Sequence, residues 1–440
     1  MDNKKITCIE LFDISPVENI CIALTGKADR LILFGEKKKF IEKAYTNYRK
    51  IIEKRKINTE IEIVSVNSCN LCEITDALEK AVTENSSLLK DEFDECKICI
   101  IDITGGSDLD LVAAGIIYER YCEKRRVYIS GSYSDINKNI NTNYGSCEKA
   151  LTDNMLPKIT VDEYFEIAGA KIKKYKTWEL NDDFIRDTDK IFDVSTQNPD
   201  MWNTQIKKIQ SAYKKGKQKN RLDFIIEKST VENCDNVQGS FGIFINKLID
   251  SGLILNKGEE NGYLKLRFKD SQVKECLLDE GKILEVKVYI AAVQAKKYDK
   301  VSKTKNKIYN DVKNGVEIDL DGEGERNTNN EIDVMAMHGI TPVYISCKNG
   351  KFDSEEMYKL NTVAGRFGRK YAKLAIIATD MEKFTPMQQK DLKERAENIG
   401  ICLFDYRRKK DVDDYESIEK YNRRLEEFVR KIFDKNIKPE

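Results

Sequence analysis

A single histidine, His338, among 440 residues sets the sharpest limit on this chain. One imidazole excludes a Ser-His-Asp triad, a two-histidine metal site and a paired-histidine ribonuclease. The arginine four to six residues upstream that another ribonuclease class sets before its histidine is also missing. Net charge is absent: 75 Lys and Arg balance 75 Asp and Glu. The first 150 residues and the remainder are each near neutral, so nucleic-acid binding has to come from local patches or be gated. No apolar run approaches the roughly 20 residues that cross a bilayer, and the N-terminus lacks the apolar core of a signal peptide. A cytoplasmic protein with no membrane partner is therefore expected. No G-x-G-x-x-G follows the first strand and no G-x-x-x-x-G-K-[ST] occurs anywhere, which argues against dinucleotide and P-loop sites.

Twelve cysteines in such a chain read as reduced, buried thiols. Cys69-x-x-Cys72 and Cys96-x-x-Cys99 have the spacing of a zinc ribbon. However, Cys99 lies in the apolar strand Ile98 to Ile103, and a helical segment intervenes, so structural zinc is not expected.

The length predicts two or three domains. Residues 1 to about 131 alternate strand and helix: Ile6 to Leu11, Arg30 to Phe34 and Lys97 to Thr104 read as strands, and Lys37 to Lys54 as a charged amphipathic helix. This predicts a Rossmann-like parallel sheet over 1–150, whose ligands collect beyond the carboxyl ends of the strands. Two loops sit there, Ile14 to Asn19 and Asp102 to Asp108, the second holding Gly105-Gly106. Paired glycines let backbone approach a ligand closely, and the helix that follows aims N–H groups at phosphate. A tight strand-to-helix turn accounts for the same glycines.

Residues 151–275 read as a helical connector. Ile159 to Tyr164 is a capped helix start, with Thr160 or Asp162 as the cap. Lys207 to Arg221 carries seven basic residues and no acid, as a solvated helix or linker would. Phe241 to Ile254 is a helix, and Gly262 to Phe268 a strand, so this part resembles a winged helix. It lacks a recognition helix rich in Arg, Asn or Gln, which favours a packing or dimer role.

The most telling stretch lies in residues 276–440. Glu331-Ile332-Asp333-Val334 leads through a turn from Gly339 to Pro342 into Val343 to Gly350. Residues two apart on a strand share a face, which pairs Glu331 with Asp333 and Ser346 with Lys348. An acid beside a lysine in a hairpin is how many metal-dependent nucleases hold a divalent cation next to the attacking water. Gly281 to Glu285 opens an apolar helical run and puts Glu285 in its first turn. Ser354 to Ala364 then reads as a helix, Lys373 to Thr379 as a buried strand, and Tyr415 to Lys435 as an amphipathic helix that packs on this core. Helix with Glu, hairpin with Asp and Lys, helix, strand is the order of a restriction-endonuclease-like α/β domain.

Taken together, these elements resemble the CRISPR-associated Rossmann-fold (CARF) proteins fused to a restriction-endonuclease-like, PD-(D/E)xK-type nuclease, the ancillary nucleases of type III CRISPR defence. The resemblance rests on the Ser15 to Asn19 and Thr104-Gly105-Gly106 loops and on Ile159 to Gly169. In the C-terminal half it rests on Gly281 to Glu285, Asn310 to Glu317, Glu331 to Val334, Ile345 to Gly350 and Leu360 to Gly368. It implies a homodimer that binds a cyclic oligoadenylate, most often cyclic tetra-adenylate, across its interface. Ligand contacts would fall on Ser15, Asn19, Thr104, Gly105, Gly106 and Ser107. Glu285, Asp333 and the Cys347 carbonyl would hold Mn²⁺ or Mg²⁺, with Lys348 as the catalytic lysine.

Two departures stand out. Asp108 takes the place of a lysine common in related loops, and Ser346 takes the place of the usual acid two residues before the catalytic lysine, leaving Glu331 or Glu285 to supply the missing charge. The chemistry needs no ribose hydroxyl, so DNA and RNA, single- or double-stranded, are all feasible substrates. The rival readings are a catalytically weak CARF sensor or scaffold, a ligand-responsive DNA-binding regulator acting through residues 222–270, and a sensor that degrades its own activator.

Overall fold

In a computed structural model the described residues are 4–13, 17–36, 38–66, 70–86, 96–123, 129–135, 140–145, 156–197, 199–215, 222–232, 241–299, 303–319, 330–350, 352–367, 371–379, 381, 384–405 and 416–432. The first sheet begins with β1 (Lys4–Leu11), followed by a short turn of 3-10 helix, α1 (Cys21–Leu24), β2 (Arg30–Gly35), α2 (Lys38–Arg55), β3 (Glu60–Ser65) and α3 (Leu71–Glu84). It continues through β4 (Cys96–Asp102), α4 (Asp108–Tyr118), β5 (Ile129–Asp135) and β6 (Ile140–Gly145). Its strand order is β3-β2-β1-β4-β5-β6, parallel except for β6. Strands such as Leu31 to Phe34 and Ile98 to Ile101 are unbroken apolar runs because helices cover both faces. Helices α3 and α4 supply one face with Ile74, Leu78, Ala113 and Ile117, and α2 supplies the other with Ile41, Tyr48 and Ile51.

The chain then forms α5 (Val161–Ile167), β7 (Lys171–Lys176), α6 (Asp182–Gln197), α7 (Pro199–Lys215), β8 (Asp223–Glu227), α8 (Lys228–Glu232), α9 (Phe241–Asp250), β9 (Ile254–Glu260), β10 (Tyr263–Phe268) and α10 (Ser271–Leu277). The segment expected to resemble a winged helix holds α9 and the β9-β10 hairpin, with β8 completing a three-stranded sheet in the order β8-β10-β9. The basic run from Lys207 begins inside α7, which is packed through Ile206, Ile209 and Tyr213 rather than solvated all round.

Next come α11 (Lys282–Gln294), β11 (Lys296–Asp299), β12 (Thr304–Lys307), β13 (Asp311–Asp319), β14 (Asn330–His338), β15 (Thr341–Lys348), α12 (Ser354–Phe367), β16 (Lys373–Ala378), α13 (Pro386–Asn398), β17 (Ile401–Asp405) and α14 (Ile418–Lys431). The second six-stranded sheet has the order β17-β16-β15-β14-β13-β7. Its edge strand β7 comes from the connector and pairs antiparallel with β13. The turn between β14 and β15 is shorter than its sequence implies. Thr341 pairs with His338 and Pro342 with Met337, so only Gly339 and Ile340 turn the chain, with Gly339 at φ +62°. Helix α14 packs against α11 through Tyr421, Leu425, Phe428 and Val429, beside the second sheet.

One apolar cluster runs from the α2 face of the first sheet to the α12 face of the second, and α5 lies between them. Thr160 caps α5 in a capping box with Glu163. At the end of α2, Arg55 forks onto both Glu163 oxygens at 2.8 Å and donates to the Lys158 carbonyl at 2.7 Å. On the other side, the Val161 N–H donates to Asp311 of β13 at 2.7 Å, and Lys313 pairs with Asp162 at 2.9 Å. Helix α5 is thus bolted by charge to both sheets.

Candidate active site

The ladder between β14 and β15 ends at Val334 and Ile345. Beyond it, Oδ2 of Asp333 accepts the Cys347 N–H at 2.7 Å and the Ser346 hydroxyl at 3.3 Å. A side-chain carboxylate thereby replaces a ladder bond and joins the acid strand to the lysine strand. Glu285, in the first turn of α11, reaches the same place. Asn314 of β13 bridges the two, donating to the Asp333 carbonyl at 2.8 Å and to Glu285 Oε2 at 3.5 Å. The Trp178 indole N–H holds Asn314 from behind at 2.8 Å.

Burial raises the Glu285 carboxyl to about 7; Lys282 opposes this, and the Asp333 charge adds to it. Lys282, itself almost buried, donates to Glu285 Oε2 at 2.6 Å. Burial likewise raises the Asp333 carboxyl, against the Cys347 N–H and the charge of Lys348. Two half-buried carboxylates that repel one another, each with one oxygen already engaged, suit a hard divalent cation better than they suit an empty apolar core. Among the described residues no group of three or more His, Cys, Asp or Glu side chains is arranged to hold a metal ion. Glu285 and Asp333 are the two carboxylates that meet here, and Ser346 stands beside them without an acid's charge.

Lys348 closes β15 and pairs with Glu356 of α12 at 2.8 Å. Asn349, the next residue, donates to the Glu280 carbonyl at 2.7 Å and to Asn203 at 2.8 Å, which ties the end of β15 to the entry of α11. Glu331 is exposed, and its charge reaches both Asp333 and Lys282. Sequence reasoning missed Lys282, Asn314 and Glu356. Lys282 carried a legible signal, three residues before Glu285 on a helix; the other two gave none.

In the first sheet, Asn19 and the Gly105-Gly106 loop follow β1 and β4, which adjoin. From there the chain builds outward on one side to β2 and β3 and on the other to β5, which makes this the topological switch point of the sheet. Gly105 and Gly106 are demanded by closeness: a Cβ on Gly105 would sit 2.8 Å from the Leu11 carbonyl, and one on Gly106, at φ +93°, would sit 2.8 Å from Leu11 Cβ. Ser107 caps α4 in a box with Asp110. Thr104 is buried, and its N–H donates to Asp102 at 2.8 Å.

Asn19, expected at the ligand, is fully buried in the single chain. Its amide braces the loop, accepting the Asp13 N–H at 3.0 Å and donating to the Asp13 carbonyl at 2.8 Å and to Tyr48 of α2 at 3.3 Å. Ser15 lies outside the described residues. Beneath the loops, Glu10 faces Asp102 across the strands. Neither Glu10 carboxyl oxygen has a hydrogen-bond partner among the described residues. Burial and the charges of Asp102, Glu18 and Asp13 push that carboxyl well above its usual range.

The molecule as a whole is a mixed α/β protein in which a parallel, switch-point sheet precedes a second sheet that carries an acid-and-lysine hairpin. Solved structures share this fold over nearly the whole chain. VC1899 from Vibrio cholerae superposes with a TM-score of 0.64 at 16% identity, covering 97% of each chain. Can2 from Sulfobacillus thermosulfidooxidans, solved in complex with cyclic tetra-adenylate, superposes with a TM-score of 0.58 at 18% identity, covering 96% of this chain and 99% of its own. No family model and no curated protein matches the sequence. No described helix is long and apolar enough to cross a membrane.

Proposed function

We propose that this chain is a cyclic-oligoadenylate-activated, divalent-metal-dependent nuclease of type III CRISPR defence, a CARF sensor joined to a restriction-endonuclease-like domain. The observation that carries the reading is the convergence of Glu285, Asp333 and the Cys347-Lys348 strand end, held together by Asn314. It is supported by a fold that Can2, a protein solved with cyclic tetra-adenylate, shares along nearly its entire length. In this reading residues 1–150 sense the ring, 151–275 connect and 276–440 cut.

Glu285, Asp333 and the Cys347 carbonyl would hold Mn²⁺ or Mg²⁺. When bound, such an ion lowers the pKa of water and steadies charge on a phosphate. The chain's own part is positional. Glu356 and the end of β15 aim the Lys348 ammonium at the site, where it steadies the developing phosphorane charge. Asn314 and Lys282 hold Glu285 facing Asp333. The ring binds at the β1/β4 switch point through the backbone of Thr104 to Ser107 and the Ser15 to Asn19 loop. Exposed Leu111 and Val112 on α4, beside that loop, fit a second copy of the chain. The dimer gates cutting only as far as the ring prefers the active arrangement.

The test is cleavage of single-stranded DNA, supercoiled DNA and RNA in Mn²⁺, with and without cyclic tetra-adenylate. Cutting that needs the ring and vanishes in Lys348→Ala supports the proposal. Ring binding with no cutting of any substrate would instead support the sensor-scaffold reading, which Ser346 in place of an acid favours.

A further inference from the structure

The short ribbon formed by β11 and β12 has no part in the site described above and belongs to neither large sheet. A two-stranded hairpin with no third strand adds little to a core and is marginal alone. Here its base is fastened by the Ile308 N–H donating to the Ala295 carbonyl at 3.0 Å and by His338 Nδ1 lying 2.8 Å from the Ile308 carbonyl. Lys296, Lys297, Lys303, Lys305 and Lys307 all stand exposed on it, and none has a carboxylate partner among the described residues. Lys174, Lys228 and Lys359 elsewhere on the surface are paired with Glu317, Glu259 and Glu355; what marks the ribbon is five exposed lysines gathered on one short hairpin.

The register makes the arrangement sharper. Lys296 lies directly opposite Lys307, a like-charge pair that disfavours the hairpin. Lys305 shares a face with Lys307, two residues away on the strand. Three ammonium groups therefore share one face of an exposed ribbon, an arrangement that an added polyanion relieves.

We infer that this ribbon is a phosphate-backbone clamp for the nucleic-acid strand entering the nuclease site, an inference that rests on the nuclease reading above. Its position matches that role. The ribbon starts two residues past the end of α11, whose first turn carries Glu285. Nine residues of helix separate Glu285 from Gln294, roughly 14 Å. That spans about four nucleotide steps of a duplex strand. A membrane surface is the less suited polyanion, because none of the large apolar side chains exposed among the described residues lies on the ribbon, and surface binding to bilayers needs such a face.

The test is the full-length triple variant Lys296→Gln, Lys305→Gln, Lys307→Gln, with fluorescence anisotropy on labelled single- and double-stranded DNA in chelator, across 50 to 200 mM salt. Losing three phosphate contacts should lower the log–log salt slope by about 2 to 3, so the parent should lose about 20- to 40-fold more affinity over that range than the variant. In Mn²⁺ with the ring, the variant should raise KM and leave kcat nearly unchanged. Equal salt slopes for parent and variant would overturn the clamp even if the parent cuts DNA. Binding of the ribbon to phosphatidylserine vesicles with no DNA effect would also overturn it. If the parent cuts nothing but the salt slopes differ as predicted, the clamp stands and the nuclease reading fails.

Discussion

Replacing Arg55 with alanine should unfasten the joint between the two sheets. The guanidinium makes two 2.8 Å bonds to Glu163, with the side chains 23% and 10% exposed. A net charge-assisted hydrogen bond contributes about 1.5–3 kcal/mol. Partial exposure of the arginine discounts this, while a mostly buried Glu163 left without its counter-charge adds to the loss. The expected destabilisation is about 2–3 kcal/mol by urea unfolding at pH 7. Arg55→Lys keeps the charge but loses the fork, and should cost about half as much.

Acid unfolding offers a second readout. Burial alone would push the Glu163 carboxyl up, but the Arg55 and Thr160 hydrogen bonds hold it below the usual range. A depressed folded pKa stabilises above the unfolded value and loses that contribution as pH falls through the folded one. Without Arg55 this contribution shrinks, so the midpoint of acid unfolding should move to higher pH. In the gated reading, α5 also carries the state of the sensor to β13, so the ratio of ring-stimulated to basal cutting should fall about tenfold, a coupling of about 1.4 kcal/mol. Unfolding within about 0.5 kcal/mol of the parent together with an unchanged stimulation ratio would refute both arguments.

Four further outcomes follow from particular side chains. Lys348→Ala should lower kcat by at least about 10²-fold with ring binding unchanged by calorimetry; comparable cutting would remove Lys348 from the chemistry. Glu356→Gln, which removes the carboxylate that holds Lys348, should lower kcat by about tenfold with ring affinity unchanged by calorimetry; parental kcat would show that Glu356 does not position Lys348. Gly105→Ala drives a Cβ to 2.8 Å from the Leu11 carbonyl, so it should cost about 1–3 kcal/mol and weaken ring binding; a variant of parental stability and affinity would contradict the close approach. Because Glu10 has a raised carboxyl, its folded pKa exceeds the unfolded one. Stability should therefore fall as pH rises above about 4.5, by up to about 1.4 kcal/mol per unit, until the folded value is passed. Glu10→Gln should flatten that slope, and an unchanged slope would place the titration elsewhere.

How much of this was legible in the sequence varies element by element. The parallel alternation over the first 131 residues, the start of α5 at Thr160 and the position of Glu285 in a first helical turn all depend on neighbours within a few residues. They follow from the apolar period and from capping. The hairpin carrying Asp333 and Lys348 was legible for the same reason, though not its two-residue turn, because only the register with β14 shows that Pro342 is already in strand.

What the sequence by itself determined is therefore most of the first sheet with its helices, the start of α5, α9, α11, the β14-β15 hairpin, α12, β16 and α14, and the residue types offered at their ends. The tertiary structure alone decided which of these meet. It brought connector strand β7 to the edge of the second sheet, placed Asn314 between Glu285 and Asp333, gave Lys348 the carboxylate of Glu356 and turned Asn19 inward to brace its own loop. Strand edges and counter-charges are satisfied by partners that come from elsewhere in the chain. A local pattern records that such a group needs a partner, and only the packed fold selects it.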